Sequence, residues 1–400
     1  MTAIRPGASP ESVAAVAGDL TAHETAAADA HAIGAVTGLL RRLRDAWRGG
    51  VRVDSVEDAY TTRTAAPLTI PTYDGSGYCT HPSVLFWPEG WNGHQFWMAM
   101  TPYPNSDSAF ENPSILASDD GVTWAVPTGG ANPLIAAPAV GYWSDPCLVR
   151  GADGITAHLV FRKSDESLWL MSSTDGITWS DAVVVLVASG TETRHSPSVL
   201  WDGEQYVMWY VNRTAGTLDR RTSPDLLSWS GATATNLAST VADYTLWHHE
   251  VVRVNEGEYH DFMTLVHSSG TAYRLHFCKS ADGVTWEMST GALLASTGTT
   301  WDTHPYKVSV LPCGPGYDYL MWYGCIAGGA GGYRIGLTRV LFGVKRLFKD
   351  VSAAGQIKVG GYSGSSASST GLGVWGNVEC QNNLHAATSG GNLVVGANVG

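Results

Sequence analysis

The chain has 400 residues, of which 44% are hydrophobic and 15% charged, and its formal net charge is −12. This negative balance disfavours nucleic acid and anionic membranes as partners. No apolar run approaches the ~20 residues that span a bilayer, and the first residues lack the layout of a signal peptide, which predicts folding in a cytosol. The 46 glycines and 16 tryptophans favour a β-rich protein with many tight turns.

The segment 1–50 is predicted to be helical, with a helix over 9–48. Ser9 can cap this helix, Pro10 suits its first turn, and Gly49 follows its end. The apolar positions near its end follow heptad spacing: Ile33, Val36, Leu40, Leu43 and Trp47. Because this seam is thin, the helix needs a partner. We expect a homo-oligomeric bundle, a homotrimer, with docking on the chain's own body as the alternative.

A seven-residue phrase recurs at 118–124, 173–179 and 280–286, with a degraded copy at 223–229. A repeat of roughly 50 residues is typical of a propeller or a solenoid. The central Asp-Gly is a strong hairpin-turn signal. The phrase resembles the Asp-box of sialidase-like propellers, which implies a structural turn at the outer rim. We therefore expect Trp124, Trp179 and Trp286 to pack at the rim, without a catalytic role.

Residues 51–70 are predicted to be a linker with little regular structure, and period-two strands begin at residue 71. Five units follow, each opening with a polar phrase and continuing into an aromatic second strand. The openings lie at 80–83, 143–146, 194–197, 247–250 and 302–305. This pattern predicts a mainly β fold, a five-bladed β-propeller over 71–341. The Gly-rich tail 342–400 is too poor in large apolar residues to form its own core, so we expect a β-rich oligomerisation module there.

The first strand of each blade lines the channel of a propeller, so the five openings should converge at one end of the axis. Polar and aromatic groups in such a concave mouth form the default ligand site. The candidate ligand-binding residues are His81, Trp143, Asp145, His195, His248, His249, Glu250, Asp302 and His304. A channel histidine that only bonds a backbone carbonyl between blades is the alternative for each histidine.

Metal binding is a further possibility at these openings, through His81, His195 and His304 together. The adjacent pair His248 and His249 is a poorer candidate, because consecutive side chains on a strand point to opposite faces and only one can reach the channel. The six cysteines show no metal-ligand spacing and are predicted to be buried and reduced. We expect no metal and no cofactor.

The five units and the phrase Ser144-Asp145-Pro146 resemble the five-bladed glycosidases of the arabinanase, xylosidase and invertase type. That resemblance implies three carboxylates on the inner strands of blades 1 to 3. Only Asp145 matches, since His81 and His195 stand at the other two places. Glu250 and Asp302 lie on blades 4 and 5, where the family has no acid. The candidate catalytic residues are Asp145, Glu250 and Asp302.

The phrases 72–78, 80–83 and 90–93 resemble a propeller of phage and prophage tail proteins. The resemblance covers roughly 71–340. It implies a minor tail or receptor-binding protein of the virion tail, assembled in the host cytoplasm beside other tail proteins. We expect its propeller to bind a host cell-surface glycan without cutting it. The alternatives are a glycoside hydrolase acting on envelope polysaccharide and a structural spacer.

Overall fold

The computed structural model describes residues 55–297, 301–312, 319–328 and 332–342. The helical segment 1–50 and the oligomerisation module 342–400 that the sequence predicts lie outside these residues, apart from Phe342. Among the described residues, no helix is long and apolar enough to span a membrane.

The described strands form five antiparallel sheets, which are the five predicted blades. Blade 1 consists of β2 (Cys79–Trp91), β3 (His94–Pro102) and β4 (Ser114–Ser118). Blade 2 consists of β5 (Trp143–Arg150), β6 (Ala157–Lys163), β7 (Leu168–Ser173) and β8 (Val183–Leu186). Blade 3 consists of β9 (His195–Trp201), β10 (Tyr206–Asn212), β11 (Thr217–Ser223) and β12 (Thr233–Ala234).

Blades 4 and 5 depart from this simple order. Blade 4 has a split inner edge, β13 (Tyr244–His248) and β14 (Val251–Asn255), and continues with β15 (Glu258–His267), β16 (Tyr273–Ser280), β17 (Trp286–Met288) and β18 (Leu294–Ala295). Blade 5 consists of β19 (His304–Pro312), β20 (Tyr319–Ile326), β21 (Tyr333–Phe342) and β1 (Ala59–Thr61). Short 3₁₀ turns lie at Val56–Asp58, Pro104–Ser106 and Ser108–Phe110.

The outer strand of the last blade comes from the start of the described chain. β1 pairs antiparallel with β21, with Ala59 opposite Phe342 and Thr61 opposite Val340. The sequence predicted little regular structure over 51–70, because a three-residue strand carries no recognisable periodicity of its own. Part of that segment instead completes the propeller.

The apolar core lies between neighbouring blades. Phe96 and Met98 of blade 1 pack with Trp322 of blade 5, for example. The large aromatic second strands predicted from the sequence supply much of this core. Of the described cysteines, Cys79, Cys147, Cys278 and Cys325 are free and buried, as predicted.

The repeated phrase folds as a structural turn in all four copies. In the first copy the Asp120 carboxylate accepts hydrogen bonds from the backbone N–H of Val122 and Thr123, and the Trp124 indole donates to the carbonyl of Gly121. The side chains of Trp124 and Trp286 are buried. In the degraded copy Leu226 takes the positive φ that glycine takes in the others.

Candidate functional site

A closed ring of hydrogen bonds aligns the five inner strands. In each blade one inner-strand side chain accepts a hydrogen bond from a backbone N–H of the next blade. These pairs are Ser83 with Leu148 (2.8 Å), Cys147 with Val199 (3.3 Å), Ser198 with Val251 (2.9 Å), Glu250 with Val310 (3.2 Å) and Ser309 with Val84 (2.8 Å). We call Ser83, Cys147, Ser198, Glu250 and Ser309 the lower ring. It fixes which positions of the five blades are equivalent.

Two residues before each member of the lower ring lies a second set of inward side chains. This upper layer consists of His81, Asp145, Ser196, His248 and Lys307. All five are buried. Asp145 Oδ1 lies 3.4 Å from His81 Nε2, 3.3 Å from Ser196 Oγ and 3.4 Å from His248 Nδ1. The Lys307 ammonium donates to the carbonyl of Pro146 at 3.2 Å. The upper layer therefore gathers chemically different groups around one carboxylate.

Local distortion of the backbone turns three of these side chains toward one another. His81, Asp145 and Ser196 have φ of 54°, 51° and 50°, a left-handed conformation that L residues rarely adopt. Each precedes a proline and lies at a shift in strand register. A bulge bends the strand and redirects a side chain, and strain of this kind concentrates at functional sites. The same device in three blades brings the three side chains together.

Asp145 is held ionised by its neighbours. Burial by itself would raise its pKa, but interactions with the His81 imidazole, the Arg162 guanidinium and the His248 imidazole outweigh burial and hold the pKa well below its usual range. Arg162 Nε donates to Asp145 Oδ2 at 2.9 Å, and its Nη2 donates to Ser144 Oγ at 2.7 Å. A guanidinium stays protonated at all relevant pH values, so the carboxylate keeps a permanent positive partner.

The two histidines of the upper layer are neutral at physiological pH. Burial lowers the pKa of His81 to about 3, against the opposing pull of Asp145. Burial also lowers the pKa of His248 well below its usual value. In both rings Nε2 is buried and has no hydrogen-bond partner. Neutral imidazoles with unused ring nitrogens are good metal ligands.

His81, Asp145 and His248 can together hold a metal ion. One ligand atom from each lies within 4.8 Å of the others. Two imidazoles and one carboxylate suit zinc and other first-row divalent ions, and the unpartnered Nε2 atoms fit such a role. The metal set considered from the sequence differs, because His195 contacts Glu166 and His304 bonds Ser296.

Glu111 adds a second carboxyl group beside the upper layer. It lies on the loop between β3 and β4, with Oε1 3.6 Å from His81 Nδ1. Burial, then the negative charge of Asp145, raises the pKa of Glu111 well above its usual value, although Arg162 opposes the rise. Its carboxyl group therefore keeps its proton to higher pH than an ordinary glutamate does, the opposite of the shift at Asp145.

The mouth above the upper layer has an aromatic side and a polar side. Blades 4, 5 and 1 supply four tyrosines in mutual ring contact, which we call the aromatic arc: Tyr103, Tyr273, Tyr306 and Tyr333. The Tyr306 ring lies 4.4 Å from that of His248. Blades 2 and 3 supply Glu166 and His195, whose Oε1 and Nε2 are 3.4 Å apart. Burial alone would raise the pKa of Glu166, but His195 and Arg162 lower it, so its carboxylate is ionised.

The structure brings together four of the residues predicted from the sequence and places five elsewhere. His81, Asp145 and His248 form the cluster, with His195 at the mouth. Outside the cluster, Trp143 packs in the interblade core, His249 bonds Asp261, Glu250 belongs to the lower ring, Asp302 bonds Arg63 and Tyr323, and His304 bonds Ser296. As predicted, only one of the two adjacent histidines faces the channel.

Glu250 and Asp302, the other two catalytic candidates, lie outside the cluster. Glu250 Oε1 accepts from Ser309 Oγ at 3.0 Å as well as from Val310 N, which makes it a structural link between blades 4 and 5. It borders a cavity of about 280 Å³ at the opposite end of the channel from the upper layer. Asp302 Oδ2 accepts from the Tyr323 hydroxyl at 3.1 Å and lies 3.0 Å from Arg63 Nη1.

Sequence reasoning missed Ser196, Lys307, Arg162, Glu111 and Glu166. Ser196 could have been found by aligning the blades, since the phrases Thr80-His81-Pro82-Ser83 and Ser144-Asp145-Pro146-Cys147 match His195-Ser196-Pro197-Ser198 in register. When the prolines are aligned, Ser196 and not His195 is the residue equivalent to Asp145. Glu111, Arg162 and Glu166 come from other strands and loops, where no repeat marks them.

Two comparisons with known proteins bear on this site, and no protein-family model matches the chain. The chain is 25% identical over 334 residues to an A type blood N-acetyl-alpha-D-galactosamine deacetylase of Flavonifractor plautii, an alignment that covers 68% of this chain and 43% of the relative. The chain thus spans less than half the length of that curated relative.

The solved structures show the same fold. An N-acetylgalactosamine deacetylase from F. plautii, in complex with blood group B trisaccharide, superposes with a TM-score of 0.63 at 22% identity, over 70% of this chain and 95% of that one. An alpha-L-arabinofuranosidase from Podospora anserina, in complex with cellotriose, superposes with a TM-score of 0.51 at 14% identity, over 71% and 96% of the two chains. The predicted five-bladed, glycosidase-like propeller is confirmed.

The expectation of a phage tail protein that binds a glycan without cutting it is wrong. The similar proteins are carbohydrate-processing enzymes, a deacetylase and glycosidases. The phrases that suggested a tail protein lie in turns and at the start of the first inner strand, where the needs of the fold constrain the sequence. The enzyme alternative fits the comparisons better.

Proposed function

We propose that this propeller is a hydrolase that removes the acyl group from an acylated amino sugar. The observation that carries the proposal is the buried cluster of His81, Asp145 and His248, whose ligand atoms lie within 4.8 Å of one another. These residues would hold a divalent cation. Such a cation polarises a carbonyl oxygen and lowers the pKa of a bound water.

The surrounding charges suit the same reaction. Removal of an acetyl group breaks the bond between carbonyl carbon and nitrogen and adds water, and negative charge develops on the carbonyl oxygen. Lys307 in the upper layer and Arg162 beside it provide positive charge, which stabilises the developing negative charge in a buried site.

Glu111 fits the role of proton donor. The leaving nitrogen needs a proton when its bond to carbon breaks, and burial, which raises the pKa of Glu111, favours the protonated carboxyl group that can supply it. Glu111 then regains a proton from the hydroxyl group that the water has added to the carbonyl carbon. The net reaction consumes one water and yields a carboxylic acid and an amine.

The proposal is tested by acetate release from an oligosaccharide that ends in N-acetyl-α-D-galactosamine. The purified full chain is treated with a chelator and then resupplied with Zn²⁺ or Mn²⁺. We expect acetate release to stop with the chelator and to return with one of the two ions. Calorimetry should show one metal site per chain, lost in His248→Asn and kept in the control variant His94→Asn, whose partly exposed ring contacts Asp119 and Trp97 rather than the upper layer. Acetate release that is insensitive to chelation would contradict the metal-assisted mechanism.

Glycoside hydrolysis is the second candidate, and one specific observation favours it. Asp145 and Glu111 are two carboxyl groups whose pKa values are shifted in opposite directions. Such a pair is the usual signature of a nucleophile or base beside a general acid. The same assay separates the candidates, because a glycosidase releases reducing sugar from the oligosaccharide without releasing acetate.

A further inference from the structure

The turn between β6 and β7 carries a residue that its local conformation disfavours. Glu166 has a φ of 68°, in the left-handed region. Its backbone N–H closes the turn on the carbonyl of Lys163 at 2.9 Å. The matching turns of blades 3, 4 and 5 have glycine in this conformation, namely Gly216, Gly270 and Gly332. Blade 2 alone uses a large charged residue where the turn itself favours glycine.

The side chain of Glu166 explains why this strain is kept. Its Oε1 accepts from Arg162 Nη1 at 2.9 Å and faces His195 Nε2 at 3.4 Å, and its Oε2 accepts from the backbone N–H of Arg194 at 2.7 Å. A carboxylate has about four acceptor positions, so one remains on Oε2. The side chain is 19% exposed. The carboxylate is thus held by three partners, charged and partly exposed.

Glu166 and His195 lie on blades 2 and 3, and the aromatic arc lies on blades 4, 5 and 1. A sugar ring has hydroxyl groups at its edge and an apolar C–H face. Such a ring can place its face against the tyrosines and direct hydroxyl groups to the carboxylate. We infer that Glu166 is a specificity residue that binds a ring hydroxyl of the sugar unit whose acyl group is removed, an inference that rests on the proposed function.

The test compares Glu166→Gly and Glu166→Gln with the control Asp165→Asn. Asp165 lies in the same turn but bonds Ser167 and Lys163 rather than the site. Because a hydrogen bond to a charged group is lost, we expect KM for N-acetyl-α-D-galactosaminide to rise about 10- to 100-fold in both Glu166 variants. We expect kcat to change far less, and the control to match wild type. The Gly variant should melt no lower than Gln, because the turn then has its preferred residue.

A fall in kcat with KM unchanged would overturn the inference, since Glu166 would then act through Arg162 on Asp145. Binding of free N-acetylgalactosamine, followed by ligand-observed NMR, separates this outcome from failure of the proposed function. If wild type binds the sugar and the Glu166 variants do not, the inference stands even without acetate release. Equal binding by wild type and variants overturns the inference alone, and no binding by wild type overturns it together with the proposed function.

Discussion

The upper layer and the lower ring lie two residues apart along the inner edges of the same five blades, yet they differ in chemistry. The lower ring consists of three serines, a cysteine and a glutamate, and each performs the same task of accepting a backbone N–H from the next blade. The upper layer has two histidines, an aspartate, a serine and a lysine, and their contacts converge on Asp145. The lower ring repeats one interaction in every blade and holds the blades together. The upper layer has a different side chain in most blades, and these side chains are the ones that can take part in a reaction.

The largest expected effect comes from breaking the upper layer at its centre. Asp145→Asn should lower kcat for acetate release by about 10²–10³-fold or more, because a charge aimed at the reacting groups is lost. It also removes one of the two carboxylate partners of the buried Arg162 and leaves only Glu166, which should cost at most about 3–5 kcal/mol of stability. The control is Asp119→Asn, whose carboxylate is 72% exposed. Full activity of a folded Asp145→Asn would contradict the assignment of the upper layer.

The next largest effect is a pH dependence of stability, which arises from Glu250 in the lower ring. Burial raises the pKa of Glu250 from 4.5 to about 8. Between these pH values the folded state binds more protons than the unfolded state, so stability is present at low pH and is lost as pH rises through this window. We expect the free energy of unfolding to fall by on the order of a few kcal/mol across it. Other buried groups also titrate in this range. The test is therefore the difference between wild type and a Glu250 variant in how the free energy of unfolding depends on pH.

That variant is Glu250→Gln, which keeps an acceptor for Val310 N and cannot ionise. Urea denaturation at a series of pH values should show a flatter profile than for wild type. Because Glu250 is not part of the upper layer, acetate release should persist in the variant. Loss of activity without loss of stability would return Glu250 to the catalytic candidates.

The smallest and sharpest effect comes from two serines on one strand. Ser198→Ala leaves the buried N–H of Val251 without its acceptor, which costs about 1–3 kcal/mol of stability. The activity of the folded molecules should be unchanged. Ser196→Ala removes the hydroxyl that contacts Asp145 and His248, and should lower kcat roughly tenfold, the size of one hydrogen bond to a charged group. Denaturation and kinetics on both variants check the pair, and a reversed pattern would contradict the division into two layers.

The number and order of the blades could be predicted because turn chemistry is local. Asp-Gly turns and alternating strands recur in each unit, and each needs only its own neighbours to form. The convergence of the blade openings at one end of the channel follows from the same reasoning, which placed His81, Asp145 and His248 in one candidate site.

It could not be predicted as reliably which residues of the inner strands occupy equivalent positions in the five blades. A bulge inserts an extra residue before the lower ring in blades 1 to 3, and the shift in blade 5 lies between Pro305 and Val308. A search for histidines and acids therefore selected His195 and Asp302, which lie upstream of the equivalent positions. Ser196 and Lys307 were not among the candidates, because a single serine or lysine in a sequence does not by itself indicate a functional site. Glu111 and Arg162 reach the site through tertiary packing, which leaves no local pattern.

The strand that completes blade 5 has a consequence for how the molecule is made. β1 is among the first described residues to leave the ribosome, and its partner β21 is among the last, with Ala59 opposite Phe342. The first four blades can pair their own strands as they emerge, but the fifth waits for nearly the whole propeller to be synthesised. Contacts of such sequence separation are slow to form. Closure of the ring is therefore a late step of biosynthesis, and Lys307, on the inner strand of that last blade, joins the other four members of the upper layer only then.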